Sequence, residues 1–273
     1  MSEMVGAHTD CRWGRYRLTT GAQCCSARFL DLCCDPEAGA VGAGWEPVSS
    51  SPFAKVARFE YEGGLYYHKK YLGRGWSEGV KARVFGSRAR RAWRGDRLLE
   101  ANSFGVPESV VMGERSTDCF VVTRAVIGGI SLSEYVGRLR LRSDSESQRV
   151  RRVLAEELGR VVGRMHARGI IHGDLRWGNI LIAEGPQRPR FVFLDNERTR
   201  RYARTPKRKI VKNLVQLNFV PAGCVSRAER VRFWRAYRAE HPTLAGDSRL
   251  WIRRVFAVTA RRWARRKAKK GLL

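Results

Sequence analysis

Apolar positions keep no period over residues 1–50. Gly, Ala, Cys and Ser are frequent there, and residues 39–44 and Ser49-Ser50-Ser51-Pro52 read as linker. Alternation then takes over. Val56, Phe59 and Tyr61, followed by Leu65-Tyr66-Tyr67-His68-Lys69-Lys70-Tyr71, predict a hairpin turning at Glu62-Gly63-Gly64. Residues 86–102 predict a basic helix carrying Trp93, Leu98 and Leu99. Residues 110–112 and 120–123 predict two short strands about a polar turn. A connector and a short helix fill 126–140. The clearest helix comes next. Ser145-Glu146-Ser147-Gln148 is a capping-box pattern, and Val150, Val153, Leu154, Leu158, Val161, Val162 and Met165 make one apolar stripe. Gly169 is its predicted stop. Three short apolar runs follow at 170–171, 180–182 and 191–194, and from about 208 the chain is helical and basic.

This order predicts an α+β protein of two lobes. A small N-lobe sheet with one helix occupies 51–125. A mainly helical C-lobe with a basic tail occupies 126–273. Residues 1–50 are expected to be a weakly ordered Cys/Gly-rich segment.

Charge adds a partner. Lys and Arg number 53 against 26 Asp and Glu, a formal +27. Such an excess repels itself and suits an anionic partner: nucleic acid, an anionic membrane surface, or a phosphorylated or acidic substrate. No run approaches the ~20 apolar residues that cross a bilayer, and the N-terminus has no apolar secretory core. The expectation is a cytoplasmic protein with peripheral membrane contact. The segment 261–270 is expected to supply that contact, with Trp263 as an amphipathic anchor among Arg and Lys. The seven cysteines include the adjacent pairs Cys24-Cys25 and Cys33-Cys34 rather than C-x2-C knuckles. They read as reduced thiols in a loosely ordered tail.

The chemistry lies in Ile171-His172-Gly173-Asp174-Leu175-Arg176-Trp177-Gly178-Asn179-Ile180, an H-x-D-L-x-x-x-N loop between two apolar runs. Phosphoryl transfer needs a carboxylate at the acceptor hydroxyl, oxygen ligands for Mg2+, and a lysine on the phosphates. The five-residue step from Asp174 to Asn179 matches the protein-kinase catalytic loop, with His172 and Asp174 as catalytic candidates. Asp195, at the end of Phe193-Leu194-Asp195, stands where a second metal ligand belongs, although Asn196-Glu197 follows it in place of Phe-Gly. Lys69 is the candidate phosphate lysine. Lys70 points to the opposite strand face and stays an alternative. The helix lacks a Glu to pair with that lysine, so Asp96 or Glu100 would substitute. No Gly-rich phosphate loop precedes Lys69. No long activation segment follows Asp195, which favours a small or carbohydrate acceptor over a peptide.

Three stretches also resemble the lipopolysaccharide kinase (Kdo/heptose kinase) family. They are residues 169–181, Phe193-Leu194-Asp195-Asn196-Glu197-Arg198-Thr199-Arg200, and Lys212-Asn213-Leu214-Val215-Gln216-Leu217-Asn218. Residues 66–71 and Phe104-Gly105-Val106-Pro107 are similar to the family's N-lobe. The resemblance spans roughly 53–240. It implies a protein-kinase-like fold, ATP and Mg2+ as cofactors, and a sugar of the lipopolysaccharide inner core as acceptor. By matching motif it implies Asp174 as base, Asn179 and Asp195 as metal ligands, and Lys69 on the ATP phosphates. The expected partner is an anionic glycolipid at a membrane; no specific nucleic acid is expected. An atypical Ser/Thr or other small-molecule kinase, and a pseudokinase binding module, are the alternatives.

Overall fold

A computed structural model describes residues 8–21, 25–35, 44–73, 82–115, 118–142, 144–183, 189–241 and 248–269. The chain divides into two compact units. Unit 1 is Met1–Ile127 with Asn196–Arg198, and unit 2 is Gly128–Asp195 with Thr199–Leu273.

Unit 1 is built on a seven-stranded sheet in the order β1-β2-β6-β7-β5-β4-β3, every pair antiparallel. The strands are β1 Thr9–Trp13, β2 Tyr16–Thr20, β3 Glu46–Val48, β4 Ala54–Tyr61, β5 Gly64–Tyr71, β6 Ser109–Arg115 and β7 Asp118–Arg124. The β4–β5 hairpin turns at Glu62 and Gly63, with φ of 46° and 71°. Strand alternation gives the sheet two apolar faces. Helix α1, Ala27–Cys34, covers one, where Phe29, Leu30 and Cys33 pack with Tyr16, Leu18, Phe59, Tyr66, Phe120 and Val122. Helix α2, Arg88–Glu100, covers the other, where Ala89, Ala92 and Trp93 meet Tyr71, Met112, Cys119 and Val121.

The N-terminal expectation is thus corrected. Where described, residues 8–48 hold three strands and a helix, and the sheet carries two helices rather than one. Tyr16, Leu18 and Thr20 alternate into the protein, a pattern only three positions long. Ser26 caps α1 by accepting the Phe29 N–H. Cys33 is a core residue rather than a tail thiol, and burial pushes its pKa well up. Residues 39–43 of the expected linker, and Cys24, lie outside the described residues.

Unit 2 is mainly helical. Strand β8 (Ile130–Ser131), helix α3 (Leu132–Leu141) and helix α4 (Ser145–Ala167) are followed by β9 (Ile170–Ile171), β10 (Ile180–Ala183), β11 (Arg190–Phe193) and β12 (Arg200–Arg201). Helices α5 (Lys207–Asn218), α6 (Arg227–Glu240) and α7 (Ser248–Lys269) complete it. The strands pair as β11-β10-β8 and β12-β9. Leu154, Leu158, Val162 and Met165 of α4 are buried as the stripe predicts, but Val153 is 42% exposed. The α4 cap is Asp144, not Ser145. Asp144 has extended backbone and accepts the Ser147 N–H at 2.6 Å, whereas Ser145 is already helical. Helices α4 and α6 touch backbone to backbone. A Cβ on Gly159 would stand 2.3 Å from Phe233 O, and one on Gly163 2.6 Å from Tyr237 O.

The basic C-terminal segment, expected to contact a membrane, keeps its described Arg and Lys exposed. Within the described residues it continues α7. Trp263 packs its ring 4.4 Å from that of Phe219, and the Arg262 guanidinium lies 4.3 Å above Phe219. Trp263 is half-buried by this contact. Lys270 lies outside the described residues. Among the described residues no helix is long and apolar enough to cross a membrane.

Candidate active site

The loop from β9 to β10 is held by its own polar groups. His172 is fully buried. Its Nδ1 accepts the Asp174 N–H at 3.0 Å and its Nε2 donates to Leu194 O at 3.0 Å. The imidazole is therefore the Nε2–H tautomer, and it ties the loop to the end of β11. Both ring nitrogens of His172, one of the two expected catalytic residues, are thus engaged by backbone groups. Asn179 donates from Nδ2 to Asp174 O at 2.9 Å. Its Oδ1 accepts no hydrogen bond among the described residues. The Asp174 carboxylate is held on both oxygens: Gln216 Nε2 donates to Oδ1 at 2.9 Å, and Arg176 pairs with Oδ2. The 3-10 turn Trp177–Asn179 leads into β10, whose pairing with β11 is completed by Leu194 N donating to Asn179 O.

Asp195 follows directly. Its φ is 59°, in the left-handed region that a non-glycine residue enters at a cost of ~1 kcal/mol. Such conformations gather where a side chain must be aimed. An amide oxygen and a carboxylate on neighbouring loops are hard oxygen donors, the type Mg2+ takes one or two at a time from protein beside nucleotide phosphates.

Unit 1 holds the other candidates. Lys69 shares the α2-side sheet face with Tyr71, and its Nζ lies 5.4 Å from that ring's centre. Lys70 is on the other face, paired with Asp118 at 3.2 Å. Asp96 of α2 is buried, accepting from Ser109 Oγ at 2.8 Å and Asn196 Nδ2 at 2.7 Å. Burial raises its carboxyl to about 6. The bonds from Asn196 and Ser109, then the charges of Arg97 and Lys69, oppose that rise. Glu100 pairs at the surface with Arg97 at 2.6 Å. The Lys69 charge is the weakest of the influences that lower the Asp96 carboxyl, while Lys70 pairs with Asp118 and Glu100 with Arg97.

Sequence reading assigned no part to Asn196, Glu197, Asn213 or Gln216. Asn196 bonds Asp96, and Glu197 makes a buried pair with Arg88 at 2.9 Å. Arg88 also donates to Phe53 O at 2.6 Å. A Cβ on Gly95 would stand 2.1 Å from Asn196 O, so only glycine lets α2 approach that segment so closely. The pair that replaces Phe-Gly therefore fastens the residues after Asp195 to α2. Asn213 and Gln216 lay inside a recognised motif, but their partners are about 40 positions away and leave no local signal.

The α+β architecture, with this loop and the carboxylate after β11, defines a phosphotransferase of protein-kinase-like fold. The chain belongs to the lipopolysaccharide kinase (Kdo/WaaP) family, whose model matches residues 47–237. It is 29% identical over 197 residues to the lipopolysaccharide core heptose(I) kinase WaaP of Pseudomonas aeruginosa, spanning 67% of this chain and 73% of that protein. A shorter stretch of 99 residues is 32% identical to the KEOPS complex subunit Bud32 of Pyrococcus abyssi, spanning 36% of this chain and 41% of that protein. Among solved structures, WaaP in complex with acyl carrier protein shares the fold with a TM-score of 0.63 at 22% identity, covering 83% of this chain and 92% of that one.

Proposed function

We propose that this chain transfers the γ-phosphoryl group of ATP, with Mg2+, to a sugar hydroxyl of the lipopolysaccharide inner core. The heptose(I) kinase relative favours heptose over Kdo. The observation that carries the reading is the Asp174 carboxylate, clamped beside Asn179 in a loop tied through His172 to the residue before Asp195. Asp174 accepts or orients the acceptor hydroxyl's proton, a contribution of ~10²–10⁴-fold in rate. Asn179 Oδ1 and the Asp195 carboxylate are the oxygen ligands for Mg2+. Bound there, the ion would neutralise charge developing on the phosphates. Lys69, with Asp96 near it, sets the phosphates. Arg176 holds Asp174 Oδ2 until substrate arrives. Isothermal titration of ATP with and without Mg2+ tests the nucleotide side. Binding that needs the ion is expected, and none at millimolar ATP would overturn the reading.

The surroundings fit an anionic acceptor at a membrane. The formal +27 favours peripheral residence at an anionic cytoplasmic surface. An acyl carrier protein is a second proposed partner, because the structural neighbour holds one. Unit 2 contains an apolar cavity of about 140 Å³, lined by residues including Leu132, Val136, Leu158, Leu214, Trp234 and Val255, which suits an acyl chain. Acylated carrier should bind more tightly than the chain-free form; equal binding would argue against the cavity.

A further inference from the structure

Behind Asp174 runs a chain of buried side chains that the catalytic roles above do not use. Tyr237 of α6, His166 of α4, and Asn213 and Gln216 of α5 are between 0% and 6% exposed. The Tyr237 hydroxyl donates to His166 Nδ1 at 2.9 Å. His166 Nε2 donates to Asn213 Oδ1 at 3.1 Å. Asn213 Nδ2 donates to His172 O and, at 3.1 Å, to Gln216 Oε1. Gln216 Oε1 also accepts the Leu175 N–H at 3.2 Å, and Gln216 Nε2 donates to Asp174 Oδ1 at 2.9 Å.

Every donor in this series points the same way. His166 must be neutral to accept on Nδ1, and burial lowers its pKa to about 4, so it is neutral at physiological pH. Asn213 Nδ2 faces His172 O, which can only accept, so Asn213 Oδ1 faces His166; Nε2 therefore carries the proton and Nδ1 accepts from Tyr237. Gln216 is then fixed with its oxygen toward Asn213 and Leu175 N, and its nitrogen toward Asp174. A flipped amide anywhere would set two donors or two acceptors face to face in the interior, each costing ~1–3 kcal/mol. Loop backbone groups and side chains of three helices thus agree on the direction of one N–H bond, and that bond ends on the carboxylate oxygen.

We propose that Gln216, oriented through Asn213, His166 and Tyr237, is a positioning residue that aims the Asp174 carboxylate at the acceptor hydroxyl. The inference rests on Asp174 being the base of the proposed reaction. Arg176 is exposed on the other oxygen and cannot by itself fix the carboxylate plane; the buried amide can.

The test is steady-state kinetics with ATP and deacylated lipopolysaccharide on Gln216→Met, which keeps volume and removes both polar atoms. The kcat should fall about 10- to 100-fold, the scale of a small misplacement of a reacting group, with KM for ATP within about twofold. Tyr237→Phe removes one hydroxyl at the far end and serves if Gln216→Met does not fold; it should lower kcat less, in the same direction. In an Asp174→Asn background, Gln216→Met should cost nothing further in residual turnover, because there is no carboxylate left to aim. Unchanged kcat in Gln216→Met, or an equal loss with and without the Asp174 carboxylate, would overturn the proposal. Full activity of Asp174→Asn alone would instead overturn the reading on which it rests.

Discussion

Asp96→Asn would separate the structural cost of a buried carboxylate from its use. The residue is 8% exposed, and its carboxyl rises from the usual 3.8 to about 6, burial outweighing the bonds from Asn196 and Ser109 and the charges of Arg97 and Lys69. That rise corresponds to about 3 kcal/mol, at ~1.4 kcal/mol per pH unit. Between the two values the folded protein keeps the proton and the unfolded chain has lost it. Asp96 therefore contributes most to stability below pH 3.8, and the contribution disappears as pH rises through about 6. Asparagine does not titrate. It keeps one acceptor oxygen for two donors and gives up one bond, worth ~1 kcal/mol. The stability of wild type minus that of the variant should thus fall by about 2 kcal/mol between pH 4 and pH 7, then stay flat. At pH 7 the variant should be the more stable by about 2 kcal/mol, the relief of the buried charge less the lost bond. His68 and His166, buried with pKa values of about 4, destabilise both proteins alike as pH falls from 6.5, so they cancel in the difference. Urea unfolding of the pair at unit pH steps from 4 to 8 measures it. ATP affinity of the variant should drop, because Lys69 loses a neighbouring charge. A stability difference constant in pH would refute the buried acid, and unchanged ATP affinity would refute its coupling to Lys69.

Three further outcomes follow from named contacts. Gly95→Ala should gain ~1 kcal/mol in an isolated helix but lower Tm here by several degrees, because overpacking against Asn196 O costs ~1–3 kcal/mol; an unchanged Tm would mean α2 is not fastened to that segment. Asp195→Ala should lose productive Mg2+-ATP binding at a stability cost of only ~1 kcal/mol for an alanine in the left-handed region, and nucleotide titration at two Mg2+ concentrations reads it, with unchanged ion dependence counting against metal ligation. Removing residues 261–273 takes Trp263 off Phe219 and should lower Tm measurably in a thermal melt. An unaltered melt would restore the picture of a detached tail.

The catalytic loop was legible because its chemistry is contiguous. His172, Asp174 and Asn179 occupy eight positions, and the strands on either side are short apolar runs. The α4 stripe was equally plain, since four turns of period 3.6 seldom arise outside a helix. The hairpin β1–β2 and helix α1 were not, because neither is long enough to establish a period, and their apolar residues include Cys and Tyr among Arg and Thr. The α4 cap was misplaced by one residue: Asp and Ser both cap well, and only backbone angles distinguish Asp144 from Ser145. The supports of the site were illegible for another reason. Asp96–Asn196 spans 100 residues and Gln216–Asp174 spans 42, and a hydrogen bond across such distances leaves no local pattern. Sequence thus pointed to the groups proposed to touch substrate and, among their supports, to His172 and Asp96, but not to Asn196, Asn213 or Gln216.

The most direct test of the account is transfer of label from γ-labelled ATP to purified lipopolysaccharide by the wild-type protein and by Asp174→Asn, with mass spectrometry locating the phosphate. Wild type should add phosphate to an inner-core sugar in the presence of Mg2+, and Asp174→Asn should be slower by about 10²–10⁴-fold while melting at the same temperature. Equal transfer by the two proteins would contradict the assignment of the base, and transfer to protein substrates with none to lipopolysaccharide would contradict that of the acceptor.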